Sequence, residues 1–311
     1  MRATILLAIS ITLSTAGFGQ KIEYTLSTPG DTTKNYYVTL FPKDQVRGVL
    51  LLLPGFGELP QQTLRDTDIY QYASDAGYLT LIPALGDWSF FYLDHASHQK
   101  LDQFIDEVFK RYNLSESSFF VGGFSFGGTM AVQYAQRAYS NDSALRKPTA
   151  VFAIDPPLDI ERLYHCMTTD NRPAKNPIST QEDHYITQRI QQEFQTNPQS
   201  NPAFFWNVSP YAQSDHEHAS LKTLLTVPIR IYNEPDINWY IENRSIDFYC
   251  LNALDSAALI NWLRSSGNSK AELVLTSGKG YRVSKSMRHP HSWTIANGKE
   301  LVDWMAEQSA D

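Results

Sequence analysis

The sequence predicts an α/β fold with a mostly parallel central sheet, helices on both of its faces and a cap inserted late in the chain. Three observations predict it. Short apolar runs alternate with amphipathic helical stretches over most of the 311 residues. The run at residues 49–53 is continuously apolar, as a strand covered on both faces must be. The alternation breaks once, at residues 156–225, where Pro, Asn, Gln, Asp and His are frequent. With 42% hydrophobic and 19% charged residues the chain can bury a core of this kind.

The first segment, residues 1–20, has Arg2 before an apolar run from Ala3 to Leu13, followed by Ser14, Thr15, Ala16 and Gly17. That is the pattern of a secretory signal peptide, with cleavage expected near Gln20. The run is shorter than the roughly 20 apolar residues a spanning helix needs, so no stable membrane anchor is expected. The remaining chain, residues 21–311, should therefore act as one secreted or periplasmic domain. Such a compartment permits Cys166 and Cys250 to pair, although two buried thiols fit the sequence equally well. The net charge of -7 and the lack of a Lys/Arg-rich run argue against a nucleic-acid partner.

Residues 22–27 and 36–41 alternate in polarity around Pro29, Gly30 and Asp31, which predicts an antiparallel pair. Buried strands are expected at 49–53, 79–82, 119–121, 150–154, 228–232 and 272–275. Helices are expected at 61–76, 97–112, 126–139, 251–266 and 297–308, giving right-handed crossovers between parallel strands. Residues 156–225 read as the inserted cap. A structureless loop of that length is improbable in a compact domain, so it should carry short helices of its own.

The motif that carries chemistry is Gly123-Phe124-Ser125-Phe126-Gly127, followed by Gly128, between a predicted strand and a predicted helix. A nucleophile on a strained strand-to-helix turn needs small neighbours two residues before and two after it. Ser125 would then stand at the N-terminus of the helix, whose free N–H groups and dipole favour developing negative charge.

The motif and the order of elements resemble the α/β-hydrolase superfamily over nearly all of the chain after the leader. The string Gly122 to Gly128 is similar to the elbow of dienelactone-hydrolase-like members, which often carry Cys where this chain has Ser125. The resemblance implies a Ser, acid, His order along the chain. His291 is the expected base, because His291-Ser292-Trp293 resembles the catalytic loop of esterase-type members, with His289 as the alternative. The expected acid is Asp236, just after the strand at 228–232, with Glu234 and Asp155 as alternatives. The expected oxyanion donors are the N–H groups of Phe126 and Phe56, the latter in Pro54-Gly55-Phe56-Gly57-Glu58.

Trp88 and Trp206 are candidate substrate-binding aromatics, the first near the carboxyl edge of the sheet and the second in the cap. The cluster Asp215-His216-Glu217-His218 lacks the i, i+4 histidine pair of a helical zinc site, so a solvated loop is expected there and no metal or cofactor. The expected reaction is hydrolysis of a small-molecule or carbohydrate-linked carboxylic ester through an acyl-serine. The rival readings are a secreted serine peptidase and a non-catalytic binding protein on the same fold. Oligomeric state is not encoded in any feature of the sequence.

Overall fold

The computed structural model describes residues 10–12, 21–27, 30, 34–86, 91, 93–114, 117–141, 143–169 and 177–309. Most of the expected leader, and Trp88, lie outside the described residues; within residues 1–20 only a short edge strand, β1 (Ser10–Thr12), is described.

The antiparallel pair forms as its alternation predicts: β2 (Ile22–Leu26) pairs with β3 (Tyr36–Leu40), and β1 lies on the outer side of β2. From there the chain builds a parallel sheet. β4 (Gly48–Leu53) is followed by two short helices, α1 (Pro60–Asp66) and α2 (Ile69–Asp75), and β5 (Tyr78–Ala84). α3 (His95–Arg111), β6 (Ser118–Phe124), α4 (Phe126–Ala138) and β7 (Ala150–Ile154) complete the first half.

The stretch expected as the insertion carries α5 (Ile160–Thr168), α6 (Pro177–Phe194) and α7 (Pro202–Val208). β8 (Ile229–Asn233), α8 (Ile237–Arg244), α9 (Asn252–Ser265), β9 (Ala271–Leu275), a small hairpin and α10 (Gly298–Gln308) follow. The strand order is β1-β2-β3-β5-β4-β6-β7-β8-β9, parallel from β5 to β9 and antiparallel at the β1 to β3 end.

The continuous apolar run of β4 is explained by its place inside this sheet. Val49, Leu51 and Leu53 pack into the core under α3 and α4, whereas Leu50 and Leu52 pack into the opposite core with residues of α2 and α10. All five are buried, so neither face of β4 tolerates a polar residue. A third cluster joins α5, α6 and α7 to Phe91 and Phe126, which seats the insertion over the first turn of α4.

The expected single helix at 61–76 is two helices. The chain is extended at Thr67, and the Thr67 hydroxyl accepts the Ile69 N–H, so side-chain bonding replaces the helical ladder at the break. Among the described residues no helix is long and apolar enough to cross a membrane.

Candidate active site

The crossover from β6 to α4 places Ser125 at the carboxyl edge of the sheet. Its backbone sits at φ 55°, ψ −128°, a strained conformation for a residue with a side chain. The flanking glycines are there for want of space: a Cβ on Gly127 would lie 2.3 Å from the carbonyl oxygens of Leu53 and Pro54, and one on Gly123 would lie 2.5 Å from the Gly127 carbonyl carbon. Ser125 is held by its own N–H, which donates to the Ile154 carbonyl at 2.9 Å.

His291 arrives from the loop before α10 and brings Nε2 to 3.0 Å from Ser125 Oγ. Its Nδ1 lies 2.5 Å from Asp155 Oδ2. A carboxylate only accepts, so Nδ1 donates to Asp155 and the Nε2 lone pair faces the serine hydroxyl. Asp155 follows β7 with a positive φ of 46°, a conformation that Asp tolerates better than most residues. The Asn233 side-chain amide donates to Asp155 Oδ1 at 2.6 Å, and the Asn252 amide donates to the Asp155 carbonyl at 2.9 Å. Asp155 is thus fixed from two sides, with its second oxygen left for the imidazole.

The acid expected at Asp236 does not reach His291. Asp236 begins α8 as its N-cap: one oxygen accepts the Trp239 N–H at 3.1 Å and the other meets Arg288 at 2.8 Å. Glu234 is committed elsewhere too, accepting from Lys279 N, Gly280 N and the Thr276 hydroxyl at 2.8, 3.0 and 3.1 Å. His289, the alternative base, is buried away from Ser125 with its Nδ1 accepting the His291 N–H at 3.1 Å. Burial and the nearby Arg282 push its pKa down to about 2, which keeps the ring neutral.

Ser125 and His291 open into a cavity of about 280 Å³ bordered by Phe56, Glu58, Phe126, Tyr281, Arg282 and Trp293, among others. Phe126 is the first residue of α4, so its N–H has no carbonyl one turn earlier in the helix to bond, and Phe56 stands on the facing loop. One Glu58 oxygen accepts from Gly55 N and from the Trp293 indole, each at 3.1 Å. That carboxylate ties the Phe56 loop to the His291 loop, and burial raises its pKa. The rings of Phe124 and His291 lie 4.5 Å apart, which further restricts the imidazole.

Trp206, expected at the substrate, does not border this cavity. Its indole N–H donates to Ser214 at 2.7 Å, because α7 turns that face toward the loop ahead of β8. Among the described residues no group of three or more His, Cys, Asp or Glu could hold a metal ion. In the Asp215 to His218 cluster, the His218 ring stacks on Tyr211 with centroids 5.5 Å apart. Cys166 and Cys250, whose pairing the sequence left open, form a disulfide. Glu58, Asn233 and Arg282 were not singled out by sequence reasoning. Glu58 carried a faint signal in its glycine-rich loop, whereas nothing local distinguishes Asn233 or Arg282.

Solved structures share this architecture. Esterase B from Lactobacillus rhamnosis, solved in an inhibited form, is similar with a TM-score of 0.59 and 12% identity over 93% of this chain and 88% of that one. A truncated carbohydrate esterase from gut microbiota is similar with a TM-score of 0.56 and 15% identity over 91% and 94%. The Pyrococcus horikoshii acylaminoacyl peptidase matches with a TM-score of 0.56 and 12% identity over 96% of this chain, which spans 41% of the peptidase. No family model matches the chain, and no curated protein matches it. At these identities the likeness is one of fold.

Proposed function

We propose that this chain, which has the α/β-hydrolase fold, is a serine hydrolase that cleaves a carboxylic ester through an acyl-Ser125 intermediate. The observation that carries the proposal is the unbroken relay from Ser125 Oγ through His291 to Asp155, with contacts of 3.0 and 2.5 Å. A serine hydroxyl is a poor nucleophile until a base removes its proton as it attacks. His291 Nε2 takes that proton, and Asp155 holds the ring in the required tautomer and stabilises its protonated form. The carbonyl oxygen gains negative charge against the N–H groups of Phe126 and Phe56. His291 then protonates the departing alkoxide, the alcohol leaves, and water repeats the sequence on the acyl-serine to release the acid.

The substrate class we propose is a small-molecule or carbohydrate-linked ester, since the cavity is small and two similar solved structures that match over most of their length are named as esterases. Export follows as part of the same reading. It is supported by the leader pattern at residues 1–20 and by the Cys166–Cys250 disulfide, which persists in oxidising compartments.

The test is fluorophosphonate labelling of the purified protein with peptide mass spectrometry, together with ester turnover by Ser125→Ala. An adduct on Ser125 and a loss of about 10⁴-fold or more in kcat are expected. Undiminished turnover by Ser125→Ala would overturn the assignment.

A further inference from the structure

The cavity at Ser125 is bordered by a partly buried cation, Arg282, that has no close ion-pair partner among the described residues. Besides the lobe already described, a smaller one of about 150 Å³ opens beside Ser125 and His291, with Leu163, Met167, Ile246 and Leu251 in its wall. Arg282 borders both lobes. Its Nε donates to the His291 carbonyl oxygen at 3.3 Å, which aims the guanidinium beside the base. Its Nη groups have no hydrogen-bond or ion-pair partner among the described residues.

The acids bordering the two lobes include Glu58, Asp66, Glu182, Asp183 and Asp155, the last held by His291, and three of the others have partners apart from Arg282. Glu58 accepts from Gly55 and Trp293, and Asp66 accepts from the Ser284 N–H and hydroxyl at 2.6 and 2.9 Å. Glu182 is half in solvent and pairs with Arg244 at 3.7 Å. Burial lowers the pKa of Arg282, with Glu182 and Glu58 opposing it from beyond contact distance, and a partly desolvated guanidinium with no directly paired anion is costly to keep. Lys285, exposed at the cavity rim, adds a second positive charge to the same lobe. The planar fork of Arg282 matches a carboxylate in two parallel hydrogen bonds.

Building on the ester-hydrolase reading, we infer that the substrate carries a carboxylate, seated on the Nη groups of Arg282 in the polar lobe, with a hydrocarbon portion in the apolar lobe. Two isosteric pairs of probes test this on the whole protein. One places the charge on the alcohol side, para-acetoxybenzoate against para-acetoxybenzamide. The other places it on the acyl side, para-nitrophenyl hemisuccinate against para-nitrophenyl succinamate.

In at least one pair the charged member is expected to have a kcat/KM about ten-fold or more above the neutral one. Arg282→Gln brings that ratio close to one, and Arg282→Lys restores part of it. A ratio near one in the unaltered protein, or a preference that survives Arg282→Gln, would overturn the inference. Benzoate binding to Ser125→Ala by calorimetry separates this from the hydrolase reading. If the unaltered protein turns over no ester while Ser125→Ala binds benzoate and Arg282→Gln removes that binding, the carboxylate seat stands and ester hydrolysis is rejected. No turnover and no binding rejects both.

Discussion

Asp155 and Asp236 each follow the carboxyl end of a parallel strand, and backbone geometry decides which one meets the base. Asp155 follows β7 at once, with a positive φ that directs its carboxylate at the His291 loop. Asp236 is displaced by Glu234 and Pro235 and is consumed in capping α8. Chain order could not separate them, because Ser125, Asp155, His291 satisfies the same rule as Ser125, Asp236, His291. Ser125 and His291 were legible because a strained turn needs glycines around it and because the final loop leads straight into α10. Arg282 was illegible because nothing local marks a lone arginine whose importance comes from what surrounds it. Asp155→Asn should leave the fold intact and lower kcat by about 10⁴-fold, since the imidazole is then presented in the wrong tautomer. Asp236→Ala should lose a helix cap and the Arg288 contact, costing about 1 kcal/mol in denaturant unfolding with kcat little changed. The opposite pattern in steady-state kinetics would return the acid to Asp236.

At the scale of elements, the periodic signal located strands and helices well because burial on two faces imposes it, and it failed where side chains compete with the helical ladder, as at Thr67. The β6 to α4 crossover leaves no room for added side-chain volume at Gly127. Gly127→Ala would force a Cβ against two backbone carbonyls at 2.3 Å, which no side-chain adjustment relieves, so the variant should be destabilised by more than about 3 kcal/mol or fail to accumulate folded. Wild-type stability in that variant, read from thermal melts, would mean that the elbow is not packed as described. α6 carries a different constraint. Glu193 accepts the Phe91 N–H at 3.1 Å, and burial pushes its pKa from 4.5 up to about 7. The folded state thus holds a proton that the unfolded chain has released over that window, so this group's contribution to stability declines as pH rises from 4.5 to about 7. Glu193→Gln keeps the acceptor and removes the charge. Its Tm should exceed wild type at about pH 8 by a few degrees, with the gain shrinking toward about pH 5. An equal gain at both values would place its origin in packing instead.

For the whole molecule, the question is what keeps the inserted helices seated over a sheet with which they share no strand. Two fastenings join α5 to α9 and the segment just before it. The disulfide joins Cys166 in α5 to Cys250 just before α9, across a sequence separation of 84. Next to it Arg162 of α5 makes a buried ion pair with Asp255 of α9, with contacts of 2.6 and 2.5 Å. The disulfide stood in the sequence as one of two equal alternatives and the ion pair carried no signal there, because pairing across so long a separation depends on where distant segments meet. Met167 and Cys250 also line the apolar lobe beside Ser125, so the fastening and one wall of the cavity are the same structure. Replacing both cysteines by serine should lower the unfolding free energy by about 2–5 kcal/mol, because the unfolded chain regains the freedom of a long closed loop. The buried Arg162–Asp255 pair remains in that variant, so the insertion should stay docked in the native state, and ester turnover at low temperature should fall far less than stability does. Guanidinium melts with and without reductant read the first quantity, and initial rates on the same samples read the second. A midpoint that reductant leaves unmoved would show that the ion pair and the aromatic cluster alone hold the insertion. A loss of turnover as large as that of Asp155→Asn, with the fold retained, would show instead that the disulfide sets the geometry of the site.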